Sequence, residues 1–322
     1  MSKVLITGSA DGLGREAAKQ LARGGHEVVL HARDEARAQQ ALAGVPGAAA
    51  ALPGDLSSIT STRALADLIN AAGVFDAIIH NAGIGYREPT RRETEDGLEH
   101  VFQTNVLAPY LLTALVNRPA RLIYLSSGLH RSGDPDLADL QWEHRRWDGY
   151  QAYSDSKLFD AVLAAAVARR WPDVVSSSVD PGWVRTKMGG PGASGEIGPG
   201  AETQVWLATS NDPLALQSGR HFHHRRLRET HPAVADPVVQ DGAYSAPAMS
   251  SPARRLPTRR GQRMPVRAAD LPARWLTGRR SPRRRPRAAR LCSPWRRSPR
   301  FAPGGARRGL PSARRGSLSE RC

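Results

Sequence analysis

Residues 1–240 of this 322-residue chain contain no cysteine, and the two cysteines, Cys292 and Cys322, both lie in the C-terminal segment. A domain of that length can bury a sufficient apolar core without disulfide bonds, so nothing in the sequence indicates an oxidising compartment. The chain also lacks any apolar run approaching the roughly 20 residues that a membrane-spanning helix requires. No signal peptide is expected, because "KVLIT" enters a predicted strand directly after the first two residues. These absences predict a cytoplasmic protein.

Lysine is absent from residues 241–322, and the charge of the chain is unevenly distributed. That segment holds 22 arginines and three acidic residues, a net charge of +19, whereas residues 1–240 hold 24 basic and 27 acidic residues, a net charge of −3. The total of +16 therefore describes neither part of the chain. We expect two regions, a nearly neutral domain over 1–240 and a basic tail over 241–322.

Residues 241–322 consist mainly of Arg, Ala, Pro, Ser and Gly without helical or strand periodicity, which predicts disorder. One interpretation is an arginine-rich arm that binds nucleic acid or an acidic membrane with strong salt dependence. Few aromatic residues are interleaved with the arginines, which argues against it. The other is an out-of-frame translation of GC-rich DNA, since Arg, Pro, Ala and Gly have GC-rich codons. We favour this frameshifted C-terminus, so a nucleic-acid partner is not expected.

Short β-branched runs alternate with longer helical segments through residues 1–240. This alternation predicts a single α/β domain with a Rossmann-type doubly wound parallel sheet of about seven strands. A helix ending near Asn117 is expected after the fourth strand, and the long helix containing "YSDSK" follows the fifth. The predicted strands are 3–7, 27–32, 49–56, 76–83, 121–127, 174–182 and 218–224.

The stretch "TGSADGLG" (7–14) lies between the first strand and the first helix, where a dinucleotide pyrophosphate would rest on the helix N-terminus. The next strand ends in "LHARDE" and has no acidic residue at His31 or Ala32. An acidic side chain there would bind the ribose 2′-hydroxyl and repel a 2′-phosphate. Arg33 offers a planar cation suited to phosphate, although Asp34 beside it weakens the signal and serves equally as a helix cap. We therefore expect NADP(H) in preference to NAD(H), and NAD(H) stays open.

Tyr153 and Lys157 are four residues apart on a predicted helix and therefore share one face. A lysine ammonium one turn from a phenol stabilises the phenolate and lowers the pKa of the tyrosine from roughly 10 toward neutrality. A tyrosine of that kind exchanges a proton with a carbonyl oxygen near pH 7. The spacing predicts acid–base chemistry at the head of this helix.

Six motifs occur in the order and spacing in which the chain resembles the short-chain dehydrogenase/reductase family, over about residues 3–240. The resemblance implies an oxidoreductase that interconverts an alcohol and a carbonyl by hydride transfer, and Arg33 favours NADP(H) as its cofactor. We expect a small, apolar substrate, and the resemblance implies a homodimer or homotetramer formed through the helices that carry Asn105 and Tyr153. The motifs are "TGSADGLG" (7–14), "HNAG" (80–83), "NVLAPYLL" (105–112), "YLSS" (124–127), "YSDSK" (153–157) and "DPGWVRTKM" (180–188).

The resemblance implies four catalytic residues. Tyr153 would exchange the proton, and Lys157 would hold the nicotinamide ribose and lower the Tyr153 pKa. Ser127, with Ser126 as the alternative, would hydrogen-bond the substrate oxygen. Asn105 would bend the middle helix and anchor a water that links Lys157 to solvent. The residues expected to contact the cofactor are Gly8, Ser9, Gly12, Leu13, Gly14, Arg33, Asp55, Leu56, Asn81, Ala82, Gly83, Tyr153, Lys157, Pro181, Gly182, Val184 and Thr186.

The gap of 25 residues between Ser127 and Tyr153 is longer than usual for the family. In this respect the chain resembles the retinol-dehydrogenase-like and WW-domain-oxidoreductase-like branch, in which such an insertion lies near the substrate entrance. Trp142, Trp147 and Tyr150 either line an apolar substrate site or pin the insertion to the domain. The charges of "EHRRW" (143–147) are expected to face solvent. The resemblance implies that the glycine-rich segment 188–200 closes over substrate, and a plain disordered loop is the alternative.

The histidines of "HFHH" (221–224) do not predict a metal site, because at most two share a face of a strand and no acid or cysteine cluster completes a ligand set. Two other functions stay open. One is a cofactor-binding relative without turnover, acting as a sensor or scaffold, and the other is nucleic-acid binding through the tail. The complete Ser–Tyr–Lys–Asn set argues against the first.

Overall fold

The computed structural model describes residues 1–245, and an eight-stranded sheet forms the centre of this part of the chain. The strand order is β3-β2-β1-β4-β5-β6-β7-β8, with every neighbouring pair parallel except β7 and β8. The predicted doubly wound α/β fold is confirmed, with one short extra strand at the edge. The strands are β1 (Lys3–Ile6), β2 (Glu27–Ala32), β3 (Ala50–Pro53), β4 (Ala77–His80), β5 (Arg121–Leu125), β6 (Val175–Asp180), β7 (Arg220–His223) and β8 (Arg226–Leu227).

Helices cover both faces of the sheet, and several begin at a side chain that accepts a hydrogen bond from the first helical turn. Asp11, Asp34, Ser58 and Asp148 act in this way, which satisfies backbone N–H groups that have no partner inside the helix. The helices are α1 (Gly12–Arg23), α2 (Glu35–Gly44), α3 (Ile59–Ala71), α4 (His100–Phe102), α5 (Ala108–Leu115), α6 (Gly149–Arg170), α7 (Ile197–Thr209) and α8 (Pro237–Ser245).

Alternate residues of the central strands enter two different apolar cores. Val4 and Ile6 of β1 pack with α1, α2 and α7 on one face of the sheet, whereas Leu5 packs with α3, α5 and α6 on the other. Both sets are fully buried, which explains why the strands read as continuous apolar runs rather than as an alternation. This packing holds the carboxyl ends of the parallel strands along one edge.

A third apolar core lies on the far side of α5 and α6, away from the sheet. Leu140 of the insertion and Val234 and Ala243 near the end of the described chain pack there against residues such as Phe159. The chain's own segments thus cover part of the helical surface through which a homodimer or homotetramer is expected. That assembly stays a prediction, and a partner subunit would meet these covering segments.

Helix α8 extends five residues beyond the predicted domain boundary at residue 240. Asp241 pairs with Arg169 and Arg170 at the end of α6, and Tyr244 packs edge-on against Tyr110 with ring centroids 5.8 Å apart. Side chains assigned to the tail therefore complete the last helix of the domain. The division into a domain and a tail stays a prediction, although its boundary at residue 240 falls inside α8. The predicted disorder and frameshift concern residues 241–322; the disorder is wrong for 241–245, and residues 246–322 lie outside the described residues.

Candidate active site

A cavity of about 890 Å³ opens at the carboxyl ends of the strands, where the strand order reverses between β1 and β4. Ligands of open α/β sheets bind at this position. The cavity brings together the following residues predicted from the sequence: Gly8, Gly12, Leu13, Arg33, Asp55, Leu56, Asn81, Ala82, Gly83, Ser127, Tyr153, Lys157, Pro181, Gly182, Val184 and Thr186.

The glycine turn between β1 and α1 depends on missing side chains. Gly8 and Gly12 have φ values of 64° and 56°, a left-handed conformation that favours glycine. A Cβ on Gly8 would lie 2.8 Å from the Cα of Ala82, so any side chain there would push β1 and β4 apart. The turn thereby brings the N-terminus of α1 to the cavity, as a phosphate-binding turn requires.

Three predicted contact or catalytic residues do not line the cavity. The Ser9 hydroxyl points inward, donating to the Ile6 carbonyl at 3.0 Å, and the residue is fully buried. Gly14 packs beneath the turn, where a Cβ would lie 2.6 Å from the Gly8 carbonyl oxygen. Asn105 is buried, as its predicted role in bending the helix and anchoring a water allows. For Ser9 and Gly14, direct contact with a cofactor stays a prediction, and what the structure shows is that both residues lie behind the cavity wall.

His31 braces the glycine turn and was not predicted as a site residue. Its Nδ1 accepts from the Gly8 N–H at 3.0 Å, and its Nε2 donates to the Gly54 carbonyl at 2.8 Å. Burial lowers the pKa of His31 to about 4, so the ring is neutral and carries its proton on Nε2. The available signal was a polar residue at the end of an otherwise apolar strand.

Two arginines border the cavity beyond β2. Arg33 is largely exposed, and Arg37, in the first turn of α2, also lies on the cavity wall. Asp34 is the N-cap of α2, accepting from the Arg37 N–H at 2.8 Å, as the sequence allowed. Its carboxylate also lies 3.7 Å from Arg33 Nε. Sequence reasoning missed Arg37, although the spacing from Arg33 was the signal.

Tyr153 and Lys157 lie together at the other end of the cavity. Lys157 Nζ is 5.6 Å from the Tyr153 ring centroid and donates to the Leu125 carbonyl at 2.8 Å. Burial raises the pKa of Tyr153 above its ordinary value, and Lys157 offsets only part of this. The predicted shift toward neutrality is therefore wrong, because desolvation of the phenolate outweighs the nearby ammonium.

Asn105 lies in a π-helical segment, Gln103–Leu107, between α4 and α5. Its Nδ2 donates to Ser156 Oγ on α6 and to the Ile84 carbonyl, and its Oδ1 accepts from the Ile84 N–H. Such an interruption of the helix matches the predicted bend at Asn105, and π segments frequently mark functional sites. Through these hydrogen bonds the Asn105 side chain joins the middle helix to α6 and to the loop after β4.

The two serines after β5 have different environments. Ser126 is buried, and its hydroxyl donates to the Lys157 carbonyl at 2.7 Å. Ser127 is half-buried on the cavity wall, where its Oγ accepts from the Leu129 N–H at 3.2 Å. This arrangement leaves the Ser127 hydroxyl hydrogen available to a ligand, which favours Ser127 over the alternative.

Aromatic side chains form the cavity wall next to Tyr153. Tyr86 packs edge-on against both Tyr153 and Tyr150, with centroid distances of 5.6 and 6.0 Å. Trp183 also lines the cavity and is half exposed. The Met188 sulfur lies 3.8 Å from the Tyr153 hydroxyl. This end of the cavity is therefore suited to an apolar ligand.

The insertion before α6 is pinned by its tryptophans and by one arginine. Trp142 is buried against Trp147, whose Nε1 donates to the Glu88 carbonyl at 3.0 Å. Arg145 lies 3.8 Å from the Trp142 ring centroid and pairs with Asp155 of α6 at 2.9 Å. Of the three aromatic candidates, only Tyr150 lines the cavity. The expectation that the charges of "EHRRW" all face solvent is wrong for Arg145.

Two of the three histidines of "HFHH", His221 and His223, lie in strand β7, and His224 lies in the turn that follows it. His221 Nδ1 lies 2.8 Å from Ser178 Oγ, and His223 Nδ1 lies 3.0 Å from the Asp180 carbonyl. Among residues 1–245, no group of three or more His, Cys, Asp or Glu side chains could hold a metal ion. Over the same residues, no helix combines the length and apolarity needed to cross a bilayer.

The residues around the cavity fit a nicotinamide dinucleotide. A Cβ on Gly83 would lie 3.3 Å from Asn105 Oδ1 and 3.5 Å from Lys157 Nζ, so the absent side chain leaves room beside the lysine. Asn81 Oδ1 is buried without a hydrogen-bond partner in the described structure. The glycine turn, this space and the arginines lie around one continuous cavity, as an extended ligand with phosphates requires.

A search for related proteins agrees with this geometry. The short chain dehydrogenase family model matches residues 2–128. An uncharacterized oxidoreductase of Emericella nidulans is 45% identical over 245 residues, covering 75% of this chain and 93% of that protein. Human retinol dehydrogenase 13 is 31% identical over 268 residues, covering 73% of this chain and 80% of that protein.

Solved structures show the same fold. A protein from Mycobacterium paratuberculosis superimposes with a TM-score of 0.65 at 24% identity, covering 76% of this chain and 94% of that one. The fold, the cavity and the relatives agree. The chain belongs to the short-chain dehydrogenase/reductase family, in its retinol-dehydrogenase-like branch, and is an oxidoreductase.

Proposed function

We propose that this protein is an NADP(H)-dependent oxidoreductase that interconverts an apolar alcohol and the corresponding carbonyl compound. The observation that carries the proposal is a single cavity with a glycine turn and two arginines at one end and Tyr153 with Lys157 at the other. Family members use NAD(P)(H) and act on small molecules, so the proposal concerns the choice of cofactor, the residues and the substrate class.

The proposed chemistry divides between the cofactor and four side chains. A bound nicotinamide supplies or accepts the hydride at the substrate carbon. In the reductive direction Tyr153 donates its hydroxyl proton to the carbonyl oxygen, which becomes the alcohol, and the phenolate is left beside the Lys157 ammonium. Ser127 donates a hydrogen bond to the same oxygen. Asn105 supports Lys157 from behind and anchors the water through which the phenolate regains a proton.

NADP(H) is favoured because two guanidinium groups border the cavity beyond β2 and no acid replaces them. Arg33 and Arg37 both reach this wall, and Asp34 is engaged in capping α2. Asp55 is also engaged, since its Oδ1 accepts from the Ser57 N–H at 2.9 Å and from the Ser57 hydroxyl at 2.7 Å. A 2′-phosphate would therefore meet planar cations.

The substrate is proposed to be apolar and unsaturated or aromatic. Tyr86 packs against Tyr153 and Tyr150, and Trp183 adds an indole ring to the same cavity. The human relative named retinol dehydrogenase 13 is, by its name, an enzyme of a long conjugated alcohol. A cytoplasmic location stays a prediction.

A cofactor-binding protein without turnover is the alternative, and replacing Tyr153 distinguishes the two. Tyr153→Phe removes the proton donor but retains the ring that packs against Tyr86. We expect NADPH binding, measured by fluorescence titration, to change less than about twofold, while reduction of benzaldehyde, acetophenone or all-trans-retinal falls by about 10²–10⁴-fold.

Tyr110→Phe is the matched control, because Tyr110 is a partly buried tyrosine outside the cavity. Tyr110→Phe should leave both NADPH binding and the rate of carbonyl reduction unchanged. Turnover by Tyr153→Phe at the wild-type rate would refute the proposed mechanism. NADPH binding without turnover of any carbonyl by the wild-type protein would favour the alternative.

A further inference from the structure

An ion pair lies directly behind the candidate active site. Lys157 Nζ is 2.8 Å from Asp160 Oδ2, one turn further along α6, and the two side chains are only 5% and 4% exposed. The motif "YSDSKLFD" carries this aspartate three residues after the lysine. Sequence reasoning did not select it, although an acid at i+3 on the same helical face was the signal.

We infer that Asp160 is a positioning residue that holds the Lys157 ammonium group in place and keeps it charged in the unliganded cleft. The Leu125 carbonyl, on β5, is the second acceptor at 2.8 Å. An ammonium group has three N–H donors. With two of them engaged, one is left for a ligand in the cavity, so Asp160 also limits the directions in which Lys157 can donate.

The burial of the lysine explains why such a partner is needed. An isolated ammonium removed from water strongly favours loss of its proton, and buried lysines without a partner become neutral far below their ordinary pKa. Burial alone lowers the pKa of Lys157, but Asp160 and Tyr153 more than offset it, and the net direction is upward. Burial raises the pKa of Asp160 to about 6, so the carboxylate is ionised at neutral pH.

Other charged and titratable groups surround this pair and Tyr153. Tyr153, on the same helix, acts on the charge of Lys157, and Asp180 at the end of β6 and Tyr86 on the loop after β4 act on the Tyr153 phenol. Burial, above all, and the negative charge of Asp160 raise the pKa of Tyr124 on β5, so the Tyr124 hydroxyl stays protonated. His80 on β4 stacks on Tyr124, and burial lowers its pKa to about 3, so it stays neutral.

Removing the Asp160 charge should lower the pKa values of its neighbours. Loss of a negative charge near Tyr153 and Lys157 makes it easier for either group to lose a proton. The first proton therefore leaves the Tyr153–Lys157 pair at lower pH, whichever group releases it. Asp160→Asn retains the shape and one acceptor oxygen but removes the charge, so it tests the charge itself.

The primary experiment follows tyrosinate absorbance at 295 nm against pH in the protein without cofactor or substrate. The chain has six tyrosines, so the Tyr153 component is the difference between each protein and its Tyr153→Phe counterpart. Where Tyr153 releases the first proton, we expect that component to move down by about one pH unit or more in Asp160→Asn; where Lys157 releases it, the Lys157 ¹³Cε titration of the same variant moves down instead. Asp155→Asn is the matched control, because Asp155 is a buried acid on α6 that pairs with Arg145 instead. It should leave the step in place.

A second measurement follows the lysines directly and, in wild-type protein, requires no variant of Asp160. The chain has four lysines, and a ¹³Cε NMR titration of labelled wild-type protein resolves each of them. The Lys157 resonance, identified by its loss in Lys157→Met, should stay in the charged form at least as far up in pH as the other three. Titration of Lys157 below them would overturn the inference, as would Tyr153 and Lys157 titrations that are both identical in Asp160→Asn and wild type.

The kinetic consequence rests on the proposed function. If carbonyl reduction is observed, the alkaline limb of its kcat/KM profile should move to lower pH in Asp160→Asn, because the reaction needs the proton on Tyr153. A uniform loss of rate with an unmoved limb would mean that Asp160 is only structural. The two titrations require no substrate, so a failure of the proposed function would not be mistaken for a failure of this inference.

Discussion

The Tyr153 hydroxyl donates toward the sulfur of Met188, 3.8 Å away, so the candidate proton donor points at the segment that follows "PGWVRT". Trp183 Nε1 donates to the Gly189 carbonyl at 3.1 Å, and the Gly195 N–H donates to the Trp183 carbonyl at 2.8 Å. The start of the glycine-rich segment is thus folded against the cavity wall. A substrate oxygen that accepts from Tyr153 would have to take the place of the Met188 sulfur.

Shortening Met188 should therefore change substrate selectivity. Met188→Ala removes the thioether beside Tyr153, and we expect the kcat/KM ratio for a bulky over a small ketone to rise by about tenfold. Met188→Leu conserves the volume and should change this ratio by less than about twofold. Equal ratios in all three proteins would show that Met188 does not border the substrate.

Replacing either cavity arginine should separate the two nicotinamide cofactors. Arg33→Ala or Arg37→Ala removes a cation near the proposed 2′-phosphate, and we expect the Kd for NADPH to rise about tenfold or more. The Kd for NADH should change less than about twofold. Fluorescence titrations at several salt concentrations measure both constants.

Arg23→Ala is the control for this comparison, because Arg23 is exposed at the opposite end of α1. It should affect neither Kd. Equal losses for NADPH and NADH in Arg33→Ala and Arg37→Ala would contradict a 2′-phosphate site between these residues.

Two truncations test where the domain ends. A chain that stops after Ser245 retains the contacts of α8 and should unfold at the same temperature as the full chain. A chain that stops after Asp236 loses the buried Ala243 and the packing of Tyr244 on Tyr110. We expect a loss of about 3 kcal/mol in unfolding free energy and a Tm lower by roughly 5–10 °C.

Tyr244→Ala within the longer chain provides an intermediate case. It should lower the Tm by less than the shorter truncation, because Asp241 still pairs with Arg169 and Arg170. A marked loss of stability on stopping after Ser245 would mean that residues 246–322 contribute to the folded domain.

Local sequence patterns predicted the strands and most of the site. The alternation of apolar runs with helices predicted the parallel sheet, and the glycines of "TGSADGLG" predicted the turn at the cavity. Such features depend on residues that are close in sequence. Predictions failed where contacts cross the chain: Arg145 pairs with Asp155 instead of solvent, and α8 continues past residue 240 because α6 binds it.

The sequence by itself determined the fold class, the glycine turn and the placement of Tyr153 and Lys157 on one helical face, since backbone geometry and helical period set these locally. Only the tertiary structure decided that the Ser126 hydroxyl donates to the Lys157 carbonyl while the Ser127 hydroxyl only accepts, that His31 braces the turn and that Tyr153 has a raised pKa. Burial and charge environment depend on segments far apart in the chain. They arise when the sheet and its covering helices pack together.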